Sequence, residues 1–200
     1  VIAGVLIAQA LAGYAQHRSD LARMELERSR VRYELASVRS AAQSWKAALP
    51  CLDKRMTDVM AGKNFDAGGL RRPRFSAPGY TPPATEVLDL IAQTYGVEEK
   101  NRLNWIAENA ANASPVLASI ISRWGRLMLI DPENGQVAAQ DRAEARLAAA
   151  DIKAQLRAMD VLSTDTDKVL ASMQIQARNQ NQPTYGPARS CAAIWGSGRF

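Results

Sequence analysis

Apolar side chains recur at alternating three- and four-residue spacing along the first quarter of the chain. The series is Ile7, Ala10, Tyr14, His17, Leu21, Met24, Arg28, Val31, Leu35, Val38, Ala42, Trp45 and Leu49, in which Arg28 is the main polar exception and His17 lies at the transition to charged residues. Such spacing is the heptad pattern of a helix that packs along another helix. It predicts one helix over residues 1–49, about 70 Å long at 1.5 Å per residue, that ends at Pro50.

The segment that follows is rich in residues that interrupt helices. Residues 62–83 contain four glycines and four prolines, so we predict a loop or arm over residues 50–83. Helical patterns return over residues 84–131. They predict a small helical head of three short helices, the last of which begins at residues 114–115 (SP).

A second long helix is predicted over residues 136–178, followed by an extended tail over residues 179–200. Its apolar positions are diluted with alanine and comprise Ala148, Ile152, Leu156, Met159, Leu162, Thr166, Val169 and Met173. The polar run at residues 163–167 (STDTD) is expected to kink or interrupt this helix, because short polar side chains compete for backbone hydrogen bonds.

These elements predict an all-α fold. The first and last helices would pair as an elongated hairpin or coiled coil, with the small helical head between them. Composition agrees, since 47% of the residues are hydrophobic but only 6% are aromatic. A chain poor in large side chains buries little area per residue, which suits slender helix pairs.

The amino-terminal 15 residues carry no charged side chain. They are shorter than the ~20 apolar residues that cross a bilayer. A signal peptide, a truncated membrane span and a subunit-contacting helix are the three interpretations, and the last two are favoured equally. The candidate membrane or subunit contacts are Gly4, Ile7, Ala8, Ala12 and Tyr14.

The sequence offers little for catalysis or metal binding. Its one histidine, His17, lies where the apolar start meets charged residues, and no P-loop motif is present. One histidine and two distant cysteines do not make a zinc site of ordinary spacing. Residues 131–142 begin like a calcium loop but end in arginine where glutamate is needed. We predict a non-enzymatic protein without catalytic residues, metal or cofactor.

Positive charge suggests a weaker hypothesis, that the chain binds nucleic acid or another anionic partner. The net charge of +5 favours anionic partners only mildly, because 25 basic residues face 20 acidic ones. Candidate contacts for nucleic acid or acidic headgroups lie on the arm at Arg71, Arg72, Arg74 and Phe75. Residues 90–110 are similar to a helix-turn-helix, but place Arg102 where that motif needs an apolar residue.

The two cysteines, Cys51 and Cys191, are too few for a disulfide scaffold. In the predicted hairpin they lie toward opposite ends, so a bridge within one chain, which needs Cα atoms within ~7 Å, is not expected. Free or buried thiols are the first interpretation, and an intermolecular disulfide is the alternative.

The apolar Ala/Gly-rich start that continues as an Ala/Arg/Gln/Glu helix over residues 1–49 resembles the small internal virion proteins of short-tailed phages. The resemblance implies a structural subunit of the virion that enters the host envelope during DNA ejection. The helix-head-helix plan is also similar to pilus-tip subunits of type IV secretion systems, and to the inner-membrane spanins of phage lysis. The expected partners are other subunits, as a homo- or hetero-oligomer, and a membrane. The expected location is a virion or the bacterial inner membrane and periplasm.

Overall fold

The computed structural model describes residues 2–66, 68–73 and 79–178, except the side chains of residues 2–4, 6 and 8. Its helices are α1 (Ile2–Met60), α2 (Thr85–Tyr95), α3 (Val97–Leu127) and α4 (Ala139–Ser172). Two 3₁₀ turns, Met128–Ile130 and Pro132–Asn134, join α3 to α4. The described ranges contain no strand, and the predicted all-α class is confirmed.

Helix α4 packs antiparallel to α1 on one side and to α3 on the other. Toward one end, Asp167 of α4 lies 3.0 Å from the Arg39 guanidinium of α1, and Lys153 lies 3.1 Å from Asp53 further along. On the α3 side, Arg126 lies 2.5 Å from Glu144. The three long helices therefore form one bundle, whereas the sequence predicted a helix pair with a separate head.

Two clusters of buried apolar residues run along this bundle. The first lies among α1, α3 and α4 and includes Trp45, Leu52, Met56, Ile120, Trp124, Leu127, Ile152 and Met159. The second brings in α2 and includes Met24, Val31, Leu35, Val38, Val87, Ile91, Leu103, Ile106 and Leu170. The buried part of α1, from Met24 to Val59, is about 53 Å long.

Two prolines that were predicted to delimit helices lie inside helices instead. Pro50 is within α1, which ends ten residues later at Met60, and Pro115 is within α3. The second and third helices predicted for the head are therefore a single helix, α3. A proline in a helix interior costs about 3 kcal/mol. Burial of apolar neighbours on both sides offsets this cost, as with Leu49 and Leu52 around Pro50.

The polar run at residues 163–167 does not interrupt α4, contrary to expectation. Ser163 and Thr166 are buried, and Asn109 of α3 donates hydrogen bonds to Thr166 Oγ1 at 2.6 Å and to the Leu162 carbonyl at 3.1 Å. The side chains of Thr166 and Asp167 thus bond to groups on neighbouring helices rather than to their own backbone, so the helix continues.

A buried carboxylate fastens the loop after α1 to the end of the bundle. Asp131 is fully buried and accepts hydrogen bonds from the backbone N–H groups of Gly68 (2.9 Å), Leu70 (3.1 Å) and Glu133 (3.0 Å). Burial alone would raise the pKa of Asp131, but these three donors hold it below its usual value. Trp124 Nε1 donates to the Leu70 carbonyl at 2.9 Å, so the loop is held from both sides.

Candidate interaction site

The amino-terminal part of α1 extends beyond the bundle. Every described side chain from Val5 to Ser19 is exposed, and the first buried side chain of α1 is Met24. We call residues 2–19 the projection; it is about 27 Å long. Large apolar side chains on it are more than half exposed, at 51% for Val5, 61% for Ile7, 64% for Leu11 and 61% for Tyr14.

The projection begins beyond the connection between α2 and α3. Near this boundary Leu21 packs against the second cluster, and Tyr95 contacts α1 with its hydroxyl 3.2 Å from Glu25 and its ring 3.9 Å from the Arg28 guanidinium. Helix α3 starts two residues later at Val97, which is 63% exposed. Helices α2 and α3 therefore stop short of residues 2–19.

The exposed residues of the projection continue the stripe that forms the core. Met24, Val31, Leu35 and Val38 occupy successive heptad positions and are at most 3% exposed. Ile7 and Tyr14 precede them in the same register and are uncovered. The same helix face is thus buried along the bundle and exposed beyond it.

The predicted contact residues divide into two faces. Ile7, Ala12 and Tyr14 are exposed, as a contact surface requires, while the side chains of Gly4 and Ala8 lie outside the described residues. Ala12 lies five residues from Ile7 and is therefore about 140° around the helix from it. Among the described residues, no helix is long and apolar enough to cross a membrane.

The arginine arm is only partly within the described residues. Arg71 is engaged by Glu133, with Nη2 2.6 Å from the carboxylate, and this hydrogen bond raises the arginine pKa. Arg72 is exposed. Arg74 and Phe75 lie outside the described residues. One of the predicted anion contacts is therefore already neutralised by a carboxylate.

Cys51 is 8% exposed and disulfide-bonded, so the expected free thiol at this position is wrong. Cys191, the only other cysteine of the sequence, lies outside the described residues.

An ion cluster between α1 and α4 was missed by the sequence analysis. Asp167 accepts hydrogen bonds from Arg39 (3.0 Å), Gln43 (3.1 Å) and Lys46 (3.1 Å), and Arg39 also donates to the Ile175 carbonyl. Burial raises the pKa of Asp167, but these donors outweigh it and the pKa is lowered. All of these groups contribute to the contact between α1 and the carboxyl-terminal part of α4.

Sequence analysis also missed a cationic pocket at the opposite end of the bundle, where Arg142 and Arg146 of α4 line a cavity. Their i,i+4 spacing was the available signal. Within the part of the chain that is described, no group of three or more His, Cys, Asp or Glu is arranged to bind a metal. His17 lies exposed on the projection.

The molecule is thus an all-α bundle with an apolar helical projection at one end and a cationic pocket at the other. No protein-family model, curated protein or solved structure matches the chain.

Proposed function

We propose that this chain is a non-enzymatic structural subunit of a larger virion or cell-envelope assembly, and that it joins the assembly through the projection. The observation that carries the proposal is the uncovered heptad stripe, with Ile7 and Tyr14 each 61% exposed. Apolar stripes at heptad spacing associate with other helices, so sister copies pairing as a coiled coil are the expected partners.

The exposed apolar side chains of the projection would contribute to association on the same scale as the cost of association. Fully burying one large apolar side chain stabilises by about 1.5–3 kcal/mol. The four exposed side chains of the projection, Val5, Ile7, Leu11 and Tyr14, would together contribute roughly 4–6 kcal/mol per chain. Association itself costs about 4–15 kcal/mol. Two projections meeting once would gain roughly 8–12 kcal/mol, which lies within the range of that cost, and each further neighbour would add to the stability of the assembly.

The preferred setting is a phage virion, with a role in DNA ejection into the host envelope. The resemblance of residues 1–49 to internal virion proteins supports this setting. The second candidate is a membrane-anchored component of a secretion or lysis apparatus, favoured by the absence of charge over residues 1–15. Carbonate extraction separates the two, because a protein released entirely into the soluble fraction is not anchored.

The test compares substitutions on and off the projection. The variant pair Ile7→Ser and Tyr14→Ser removes two stripe residues, and the control pair Leu147→Ser and Val161→Ser removes equally exposed apolar residues from α4 (70% and 60%). Light scattering over a range of concentrations should show mass rising for the wild type and the control but not for the projection variant. A wild type that stays monomeric at every concentration and does not float with lipid vesicles would contradict the proposal.

A further inference from the structure

The end of the bundle opposite the projection contains a cavity of about 170 Å³. Its lining comes from the end of α1, the following loop, the 3₁₀ turns and the start of α4. The apolar lining residues are Val59, Phe65, Ile130, Pro132 and Val137, and the polar ones are Lys63, Asn64, Arg142 and Arg146. Every ionisable side chain in this lining is cationic.

The nearby carboxylates are already occupied. Asp58 is shared by Lys54 (3.0 Å) and Lys63 (2.7 Å), and these two hydrogen bonds lower its pKa. Glu133 pairs with Arg71, and Glu144 pairs with Arg126.

Asp141, on the same helix turn as Arg142, accepts a hydrogen bond from the Ala138 N–H at 2.9 Å. Among the described residues, neither Arg142 nor Arg146 has a carboxylate within ion-pair distance. The pocket thus keeps two uncompensated guanidinium groups.

Gly62 gives the guanidinium of Arg146 a defined position. Its φ of +72° is in the left-handed region, and Nη2 of Arg146 lies 2.6 Å from the place a Cβ would occupy. A side chain at this position would displace the guanidinium from the cavity wall. The glycine therefore allows the loop to turn and Arg146 to lie against it.

We propose that this pocket binds a phosphate group, as phosphate, diphosphate or the phosphate end of a small monoester. Guanidinium groups bind phosphate oxygens in a bidentate manner, and Lys63 and Asn64 supply further donors. The cavity is smaller than the ~300–1,000 Å³ of sites for drug-sized ligands. It therefore holds the phosphate group while the rest of a larger ligand stays outside. This inference does not depend on the proposed function of the projection.

The test is a titration of the full chain, followed by amide NMR at constant ionic strength, with inorganic phosphate, pyrophosphate and glycerol 3-phosphate. Acetate serves as the carboxylate control. We expect saturable shifts confined to residues 59–65 and 130–146, with pyrophosphate binding more tightly than phosphate. Binding of glycerol 3-phosphate as strong as that of phosphate identifies a monoester site, and weaker binding identifies a site for the free anion; both support the proposal.

Three variants make the assignment specific. Replacing both arginines, Arg142→Gln with Arg146→Gln, should weaken phosphate binding by about tenfold or more. Gly62→Ala removes no charge but should also weaken binding, because a Cβ at this position displaces Arg146 and the φ of +72° strains the loop that lines the pocket. The control Arg157→Gln removes an exposed charge from α4 three turns away and should leave binding unchanged.

Three results would overturn the inference. They are the absence of saturable shifts, acetate binding as tightly as phosphate, and an equal loss of affinity in Arg157→Gln, which would indicate diffuse surface charge. Arg142 and Arg146 are exposed, so replacing them should not disturb the fold. A variant that misfolds would be recognised by changes in the amide shifts of residues outside the pocket.

Discussion

Replacing Asp131 by alanine should be among the most damaging single substitutions in this chain. The carboxylate is fully buried and satisfies three backbone N–H groups, those of Gly68, Leu70 and Glu133. A buried donor left without a partner costs about 1–3 kcal/mol. Gly68 is only partly buried and its N–H can turn to water, whereas Leu70 is fully buried. We therefore expect Asp131→Ala to lower the free energy of unfolding by about 3–4 kcal/mol.

Asp131→Asn separates hydrogen bonding from charge. The amide oxygen can still accept from Gly68 and Glu133, as Oδ1 does now, but its NH₂ group would face the Leu70 N–H. One bond of three is lost, so the expected destabilisation is about 1–2 kcal/mol. The exposed Asp160→Ala, on α4, is the control and should change stability by less than ~0.5 kcal/mol.

Urea unfolding monitored by circular dichroism measures these differences, and its pH dependence checks their cause. The pKa of Asp131 is lower in the folded state than in the unfolded chain, so the carboxylate stabilises the fold above the unfolded pKa of ~3.9. That contribution is lost as pH falls through the folded pKa. The stability difference between wild type and Asp131→Ala should therefore stay constant from pH 7 to about 5 and shrink as pH falls below ~4. A loss below ~0.5 kcal/mol at pH 7, or a difference that does not change with pH, would refute the reasoning.

Two further substitutions test the helix assignments. Pro50 is exposed within α1, so Pro50→Ala should restore a backbone hydrogen bond and stabilise the chain by about 2 kcal/mol, after allowing for the greater freedom of the unfolded chain. A thermal scan should show a midpoint about 4–8 °C higher, and a lower midpoint would count against a continuous α1. Asp167→Ala removes the acceptor shared by Arg39 and Lys46 and should cost about 2 kcal/mol at pH 7 in urea unfolding. Because the pKa of Asp167 is lowered in the fold, the stability lost in Asp167→Ala should also diminish in acid. If Asp167→Ala is as stable as the wild type at pH 7, the cluster contributes nothing to stability.

Heptad spacing predicted the buried face of α1 correctly from residue 24 onward. Val31, Leu35, Val38, Ala42 and Trp45 are all at most 5% exposed, as their register requires. Periodicity identifies which face is buried but not what covers it. The prediction therefore assigned α4 to this face and missed α3, whose apolar residues pack along α4 as well.

The predicted helix boundaries were wrong where tertiary packing outweighed the usual tendency of proline to end a helix. Proline usually ends a helix, yet Pro50 and Pro115 each lie on an exposed face with buried apolar residues on the other faces. Reading the proline as a stop shortened α1 by eleven residues and divided α3 in two. The cationic pocket was also beyond sequence reasoning, because its lining comes from four separate segments between residues 59 and 146.

The heptad stripe of α1 is buried along one part of its length and exposed along another, and the boundary lies near the point where α2 ends at Tyr95 and α3 begins at Val97. From Met24 onward the chain covers the stripe with its own helices, so a polar substitution there removes part of the core. Before residue 20 the same stripe is uncovered, and a polar substitution removes nothing that the fold uses. A protein selected only for its own stability gains little from two further heptads of exposed apolar side chains, which promote association in water. A subunit that needs a partner would gain a contact in the register of its own core, and this is the physical reason that supports the proposed role of the projection in assembly.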